Sequence, residues 1–466
     1  MEARAYTADP YQLIASQVSQ IRQTYASGRT LALEWRKEQL QQLYTMLTDH
    51  QLAFQEALYQ DLHKGEAEAW TTEIGFVLSE IKHTLKHLAK WAKLRKVSTP
   101  LAAMPAKSYI LPEPLGSALI IGAWNYPLQL VLAPLVSAIA AGNCAVLKPS
   151  EISSHTSAAL AKYIPEYLDN DAFAVVEGAV DETSALLAQP FEHMFYTGGE
   201  NVARIVMTAA AKHLARVTLE LGGKSPCIID RTADLQVTAN RIVWSKWMNA
   251  GQTCVAPDYL LVEKGIEQSL LDAIGKSLKQ FYGKSVKDSH DYGRIVNERH
   301  FQRLCGYLKG QQILLGGEVD AQSRFIAPTV LKLTDDSPAV MQDEIFGPIL
   351  PMLVMEDIQD SIAFVKQRPK PLALYLYSQD PQMEARILNQ TSAGNVCIND
   401  GMMFMVNPEL PFGGVGPSGM GSYHGKFGFD AFSHLKTVMK RSLRFDVPLR
   451  YPPFNRLKLG LLKKIL

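Results

Sequence analysis

From Leu115 to Leu147 the chain carries no charged residue. A run of that length must be buried, either in a bilayer or inside a folded protein. Asn125, Pro127, Gln129, Pro134 and Asn143 interrupt it, and glycines fall at Gly116, Gly122 and Gly142. These residues divide the run into a strand, a turn, an apolar helix and a second strand. That is the pattern of a parallel sheet covered on both faces. A transmembrane span is the rival reading, and the polar and proline interruptions weigh against it.

The same alternation continues downstream. Short apolar runs predict strands at 117–121, 144–147, 173–176, 193–196 and 216–219, with helices between them at 128–141, 153–163, 183–187 and 201–214. Strands and helices alternating at this spacing imply right-handed crossovers and a doubly wound parallel sheet. Ligands bind such sheets at the carboxyl ends of the strands, here residues 122–126, 148–151 and 197–199. A second α/β region runs from about Ser225 to Ile398, with strands at 226–229 and 259–262 and helices at 235–247 and 266–279. Ahead of the sheet, Leu40, Leu43, Leu47, Ile74, Val77, Leu78, Ile81, Leu85 and Leu88 recur at helical spacing. Lys82, His83, Lys86, His87 and Lys90 fill the opposite, solvated face. Residues 100–114 lack periodicity and read as extended. Residues 411–421 are too glycine-rich for regular structure and read as a loop making backbone contacts.

With 466 residues the chain exceeds the ~250–300 at which a single core stops growing, so more than one domain is expected. The net charge of +1 gives no electrostatic reason to expect nucleic acid. Five scattered cysteines (Cys144, Cys227, Cys254, Cys305 and Cys397) do not form a disulfide framework and fit a reducing, cytoplasmic compartment. No zinc-type spacing occurs, so no metal is expected. Residues 1–7 lack the pattern of a secretory leader.

Several segments carry candidate chemistry. Gly251-Gln252-Thr253-Cys254-Val255-Ala256 offers a thiol; by itself, a lone cysteine is more often an inert buried residue. Leu219-Glu220-Leu221-Gly222-Gly223 sets a carboxylate at the end of an apolar strand, where its pKa should rise as a general base requires; the plain alternative is a surface Glu. Asn125, in Ala123-Trp124-Asn125-Tyr126-Pro127, offers an amide donor to an oxyanion, or is simply a turn residue before proline. Lys148-Pro149-Ser150-Glu151 leaves the second strand with a cation and an acid, where dinucleotide folds hold ribose hydroxyls. Glu344-Ile345-Phe346-Gly347-Pro348 adds a carboxylate beside an aromatic ring.

Taken in order, 148–151, 219–226, 251–259, 344–348 and 411–425 resemble the aldehyde dehydrogenase superfamily along nearly the whole chain, closest to its class 3 group. The resemblance implies three parts. Residues 1–219 form an NAD(P)-binding domain, 220–404 a catalytic domain, and 405–466 return to the first domain and end in a tail. It also implies a small β oligomerisation arm from residues 93–111 and 435–441, and a homodimer. Cys254 is implied as nucleophile, Asn125 with the Cys254 amide as oxyanion hole, and Glu220 as the base for thioester hydrolysis. Lys148 and Glu151 hold the adenosine ribose. Gly198 and Gly199 cradle the pyrophosphate, Trp124 and Leu221 line the cofactor site, and Glu344 with Phe346 positions the nicotinamide end. The thiol needs a lowered pKa, which a nearby cofactor cation or a helix N-terminus is expected to supply. Acid production then runs through addition, hydride loss to NAD or NADP, and hydrolysis.

The sequence departs from the family at the phosphate turn, where Gly199 replaces a small hydroxyl residue and Ala203 replaces glycine. Ala203 is expected to set its helix slightly off the sheet, leaving the reaction untouched. Glu151 favours NAD, because a carboxylate repels a 2′-phosphate, yet class 3 enzymes often accept NADP. Tyr126, Trp247, Met248, Phe404 and the methionines of 401–406 are expected to wall a funnel for a hydrophobic aldehyde, medium- or long-chain or aromatic; core filler is the alternative for the methionines. Residues 456–466 alternate basic and apolar character, suiting weak contact with an anionic membrane surface, cover for the substrate entrance or packing on the partner subunit. Two other functions stand beside this one: a non-catalytic protein on the same fold, which the retained Cys254, Glu220 and Asn125 disfavour, and a coenzyme A-acylating enzyme, in which Glu220 would be dispensable.

Overall fold

A computed structural model describes residues 10–444 and 446–465. The leader question at residues 1–7 and the final Leu466 fall outside the described residues. The uncharged run folds inside the protein: strand Ser117–Ile121, helix Gln129–Ala141 and strand Cys144–Lys148 are buried along their whole lengths. Among the described residues no helix is long and apolar enough to cross a membrane. Pro134 lies within helix Gln129–Ala141, where an interior proline costs about 3 kcal/mol. Val131, Leu132, Leu135, Val136 and Ile139 are fully buried on that helix, and each contributes about 1.5–3 kcal/mol. Burial outweighs the break, so the helix forms regardless.

The first sheet has six strands in the order Phe173–Val175, Cys144–Lys148, Ser117–Ile121, His193–Thr197, Arg216–Glu220 and Gly419–Met420. The first five are parallel, and Gly419–Met420 adds an antiparallel edge. Strand order reverses on either side of Ser117–Ile121, so a crevice opens where residues 122–126 and 198–199 leave the sheet. The glycine-rich stretch is therefore only partly irregular: Gly419 pairs with Glu220 and Met420 with Leu219. Gly419, at φ +137°, can do so because a Cβ there would meet the Leu219 carbonyl at 2.1 Å.

After Glu220 the chain changes sheets. A seven-stranded sheet runs Gln312–Leu315, Thr329–Leu333, Ile349–Met355, Tyr259–Glu263, Pro226–Ile229, Ala373–Tyr377 and Asn395–Ile398. All but Gln312–Leu315 are parallel. A third sheet joins Arg95–Val97 to Ala106–Pro114 and then to Ser433–Arg441, antiparallel throughout. The stretch 100–114 is thus not extended from end to end, since a 3-10 turn at Leu101–Ala103 precedes its strand.

Two further differences arise in the helical layer. The predicted helix at 183–187 begins at Val180, because the Glu182 side chain reaches back to the Ala179 amide at 2.8 Å and fixes an earlier start. On helix Gly75–Trp91 the lysines face solvent, but His83 and His87 are half-buried in a stack with Trp91. That face is only partly solvated.

Candidate active site

Cys254 sits in the turn between a 3-10 segment, Met248–Gly251, and strand Tyr259–Glu263. Three consecutive residues before it, Asn249, Ala250 and Gly251, hold positive φ of 53°, 51° and 75°. For Asn and Ala this backbone costs energy and persists only where neighbours over-determine it. Asn249 is held by its own amide, which donates to the Asn125 carbonyl at 2.8 Å and the Gln252 carbonyl at 3.2 Å. At Gly251 a Cβ would lie 2.2 Å from the Gly347 carbonyl, so the cysteine turn is seated on the Glu344–Pro348 segment.

Asn125 leaves the central strand of the first sheet and is 2% exposed. Its side-chain Nδ2 donates to the Gln252 carbonyl at 3.0 Å. The amide carries a second hydrogen, which has no acceptor among the described residues. Glu220 ends strand Arg216–Glu220 and is 3% exposed, and neither carboxylate oxygen has a hydrogen-bond partner among the described residues. Burial alone pushes its pKa well above the usual carboxylate range. Burial also raises the Cys254 thiol, with Glu344 and Glu220 adding to the rise and backbone amides of Cys254 and Val255 opposing it. Among the described residues, burial, Glu344 and Glu220 all raise the thiol pKa, the opposite of the lowering that the chemistry needs.

The dinucleotide residues gather at the crevice. Gly199 is the N-cap of helix Glu200–His213, and a Cβ there would meet nothing within 4 Å. Gly198 has φ 159°, and Thr197 Oγ1 is buried without a partner. Ala203 is 2% exposed, its methyl absorbed into the packing of that helix. Lys148 is 2% exposed, with Nζ donating to the Pro149 carbonyl at 2.8 Å and lying 3.5 Å from the half-exposed Glu151. Burial lowers the Lys148 pKa. Trp124 meets Phe346 edge-on at 5.2 Å and His300 at 5.1 Å. Leu221 is 5% exposed, its amide donating to the Ser418 carbonyl at 3.1 Å. The Glu344 carboxylate lies over Gly222, where a Cβ would stand 2.1 Å from Oε2, and burial pushes its pKa up to about 8. An open cradle at a helix N-terminus, an unpartnered hydroxyl and an acid over a glycine fit a dinucleotide.

The apolar wall is less uniform than the sequence indicates. Tyr126 is 6% exposed, with its hydroxyl 2.6 Å from Thr253 Oγ1. Met248 is half-buried, and Phe404 stacks between Tyr375 and Phe412, each at 6.2 Å. Trp247 does not border open space: it is fully buried, and its indole N–H donates to the Pro348 carbonyl at 2.8 Å. The indole packs inward because that carbonyl is the partner its N–H requires. The open tryptophan of the same helix is Trp244, at 41% exposure.

Sequence reasoning missed Lys64, Glu73, Asn249 and Gln252, which surround Asn125, and also Tyr423. Tyr423 is fully buried with an unpartnered hydroxyl, and it interacts electrostatically with Glu220 and Cys254. Tyr423 lies within 411–425, so the motif was read for its glycines and this ring was passed over. Gln252 lies within 251–256, which was read for its thiol, and Lys64 and Asn249 stand in segments without periodicity or motif.

A dinucleotide-type sheet whose strand ends converge on a thiol, an amide donor and a buried carboxylate has the layout of a dehydrogenase working through cysteine. The family model "Aldehyde dehydrogenase family" matches residues 6–438. "Aldehyde dehydrogenase family 3 member A2" of Mus musculus is 48% identical over 446 residues, covering 95% of this chain and 92% of the relative. "Aldehyde dehydrogenase, dimeric NADP-preferring" of the same species is 47% identical over 442 residues, covering 94% and 98%. The structure of Staphylococcus aureus AldH in its substrate-bound state superposes with a TM-score of 0.95 at 45% identity, covering 97% of this chain and 99% of that one. The chain belongs to the aldehyde dehydrogenase family.

Proposed function

We propose that this aldehyde dehydrogenase oxidises a hydrophobic aldehyde, medium- or long-chain or aromatic, to its carboxylic acid through a thioester on Cys254. The observation carrying this reading is Glu220: a buried carboxyl with both oxygens unpartnered, electrostatically coupled to the Cys254 thiol. Natural proteins seldom leave such a group idle, and a base awaiting a water molecule explains it.

In this reading the Cys254 thiol gives its proton to water as its sulfur adds to the aldehyde carbon. The new alkoxide accepts from the second Asn125 amide hydrogen and the Cys254 N–H, and its collapse breaks the aldehyde C–H bond, the hydride leaving as the thioester carbonyl forms. NAD or NADP, when bound, supplies the hydride acceptor and a positive charge near the thiol. Glu220, in its ionised form, then takes a proton from the water that attacks the thioester carbonyl and passes it to the departing sulfur, so that the acid leaves with Cys254 restored as the thiol. Lys148 and Glu151 hold the adenosine ribose, and Gly198 and Gly199 the pyrophosphate. Trp124 and Leu221 line the crevice, while Glu344 and Phe346 hold the nicotinamide end. Tyr126, Met248 and Phe404 supply apolar contact. The domain reading follows the change of sheet: residues 1–219 bind cofactor, 220–404 carry the nucleophile, and 405–466 return to the first sheet.

The enzyme is proposed to act as a homodimer. The edge strand Ser433–Arg441 leaves Leu435 and Met439 43% and 52% exposed, and the mouse relative named above is dimeric by name. Helix Arg456–Ile465 leaves Leu457 80% exposed and ends in Lys463 and Lys464, which supports weak contact with an anionic membrane.

The test is reduction of NAD and NADP with acetaldehyde, hexanal, dodecanal and benzaldehyde, comparing wild type with Cys254→Ala. Turnover in wild type alone, with efficiency rising toward dodecanal or benzaldehyde, supports the reading. Highest efficiency for acetaldehyde would sink the substrate class, and turnover by Cys254→Ala would sink the covalent step.

A further inference from the structure

We propose that Lys64 and Glu73, far from Cys254 in sequence, are positioning residues that hold Asn125 in place as the oxyanion donor. The proposal rests on the role given to Asn125 above.

Lys64 lies in the turn between helices Gln51–Leu62 and Glu66–Ala69 and is 1% exposed. Each of its three N–H directions has a receiver. Nζ donates to Glu73 Oε1 at 2.5 Å and to the Asn125 carbonyl at 3.0 Å, and lies 3.9 Å from the centre of the Tyr126 ring. Glu73 is fully buried in a π-helical stretch, Trp70–Ile74, a rare form that recurs at functional sites. Its other oxygen accepts from the Leu128 and Gln129 amides at 3.1 and 2.9 Å, at the start of the helix that follows Asn125. The pair therefore grips the Asn125 segment from both sides.

The contacts close into a ring that includes the nucleophile's own turn. Asn125 Nδ2 donates to the Gln252 carbonyl, and Gln252 Nε2 donates to the Arg294 carbonyl at 2.9 Å. The Arg294 amide donates to the Leu62 carbonyl at 3.0 Å, two residues before Lys64. Gln252 is two residues before Cys254. A shift of Lys64 thus moves the amide relative to the sulfur, and a misplacement of 1 Å in such a constellation costs on the order of 10²-fold. A buried ion pair is weak evidence for stability as such. A pair whose cation ends on the carbonyl of the oxyanion donor has a positioning role to justify it.

The experiment compares wild type, Asn125→Ala, the double variant Lys64→Met with Glu73→Gln, and all three changes together. The double variant removes both charges while the glutamine oxygen still accepts from the two amides. Two rates are read per active site titrated by thiol labelling: dehydrogenase turnover, and hydrolysis of p-nitrophenyl acetate without cofactor. The proposal expects both rates of the double variant to fall by roughly 10²-fold. KM for the aldehyde should stay unchanged, since the lost contact exists only in the transition state. The triple variant should fall no further than Asn125→Ala. Unchanged rates per titrated site in the double variant, or losses that multiply in the triple, overturn the positioning role. Asn125→Ala without effect overturns the oxyanion reading and this proposal with it. Should the double variant not fold, Glu73→Gln alone decides: reduced turnover at unchanged KM supports the proposal, and unchanged turnover overturns it.

Discussion

Glu220→Gln separates the two halves of the proposed reaction and also reads the protonation state of the buried group. The wild-type carboxyl is 3% exposed and makes no hydrogen bond, and burial raises its pKa. Above the ordinary carboxyl value of 4.5 the unfolded chain has released this proton while the folded chain keeps it until its own, higher pKa. The folded state then binds one more proton, so stability falls as pH rises, by about 1.4 kcal/mol per unit, until the folded group ionises. Glutamine has nearly the same shape and nothing to ionise. The variant should therefore gain on wild type by about 1.4 kcal/mol for each pH unit from about pH 5 up to the pH at which Glu220 ionises in the folded protein, and no further above it. Urea unfolding at fixed protein concentration, repeated at several pH values, measures that difference; the other buried acids cancel because both proteins carry them. In the same variant a first burst of reduced nicotinamide should survive while steady turnover falls 10²–10⁴-fold, the range for loss of a general base. A stability difference that does not change with pH would refute the buried, protonated carboxyl. Loss of the burst together with steady turnover would refute its assignment to hydrolysis.

Gly222→Ala should push the Glu344 carboxylate aside, because its Cβ would stand 2.1 Å from Oε2. KM for NAD should rise while cofactor-free ester hydrolysis stays near wild type; equal loss of both would show a wider disturbance. Removing residues 456–466 should abolish sedimentation with anionic liposomes and leave acetaldehyde turnover intact, and unchanged sedimentation would dismiss the tail as the membrane contact.

The fold was legible where burial shows in the residue pattern. Strands Ser117–Ile121 and Pro226–Ile229 and helix Leu235–Trp247 lie where apolar runs and punctuation put them. Strands Cys144–Lys148, His193–Thr197 and Arg216–Glu220 each run one residue further, taking in the polar residue at the crevice. Sequence finds polar residues at strand ends easily, and the apolar strand before Glu220 pointed to its burial, but nothing around Lys148 tells that it too is buried. Trp247 was misplaced because a helix pattern does not say which of two tryptophans, three residues apart, finds a carbonyl for its indole. Lys64 and Glu73 were invisible for the same reason: a lysine in a His63-Lys64-Gly65 turn reads as surface, and only tertiary contact with Asn125 buries it. The raised thiol pKa likewise comes first from burial and then from Glu344 and Glu220, which are distant in sequence and act on the thiol only in the fold.

The central claim is a thioester on Cys254. Its most direct test is to mix Glu220→Gln with dodecanal and NAD, quench in acid and map the acyl group by mass spectrometry. The account predicts one dodecanoyl group per chain on the peptide containing Cys254, absent when NAD is omitted. An unmodified Cys254 in enzyme that has reduced NAD, or an acyl group on another cysteine, would contradict it.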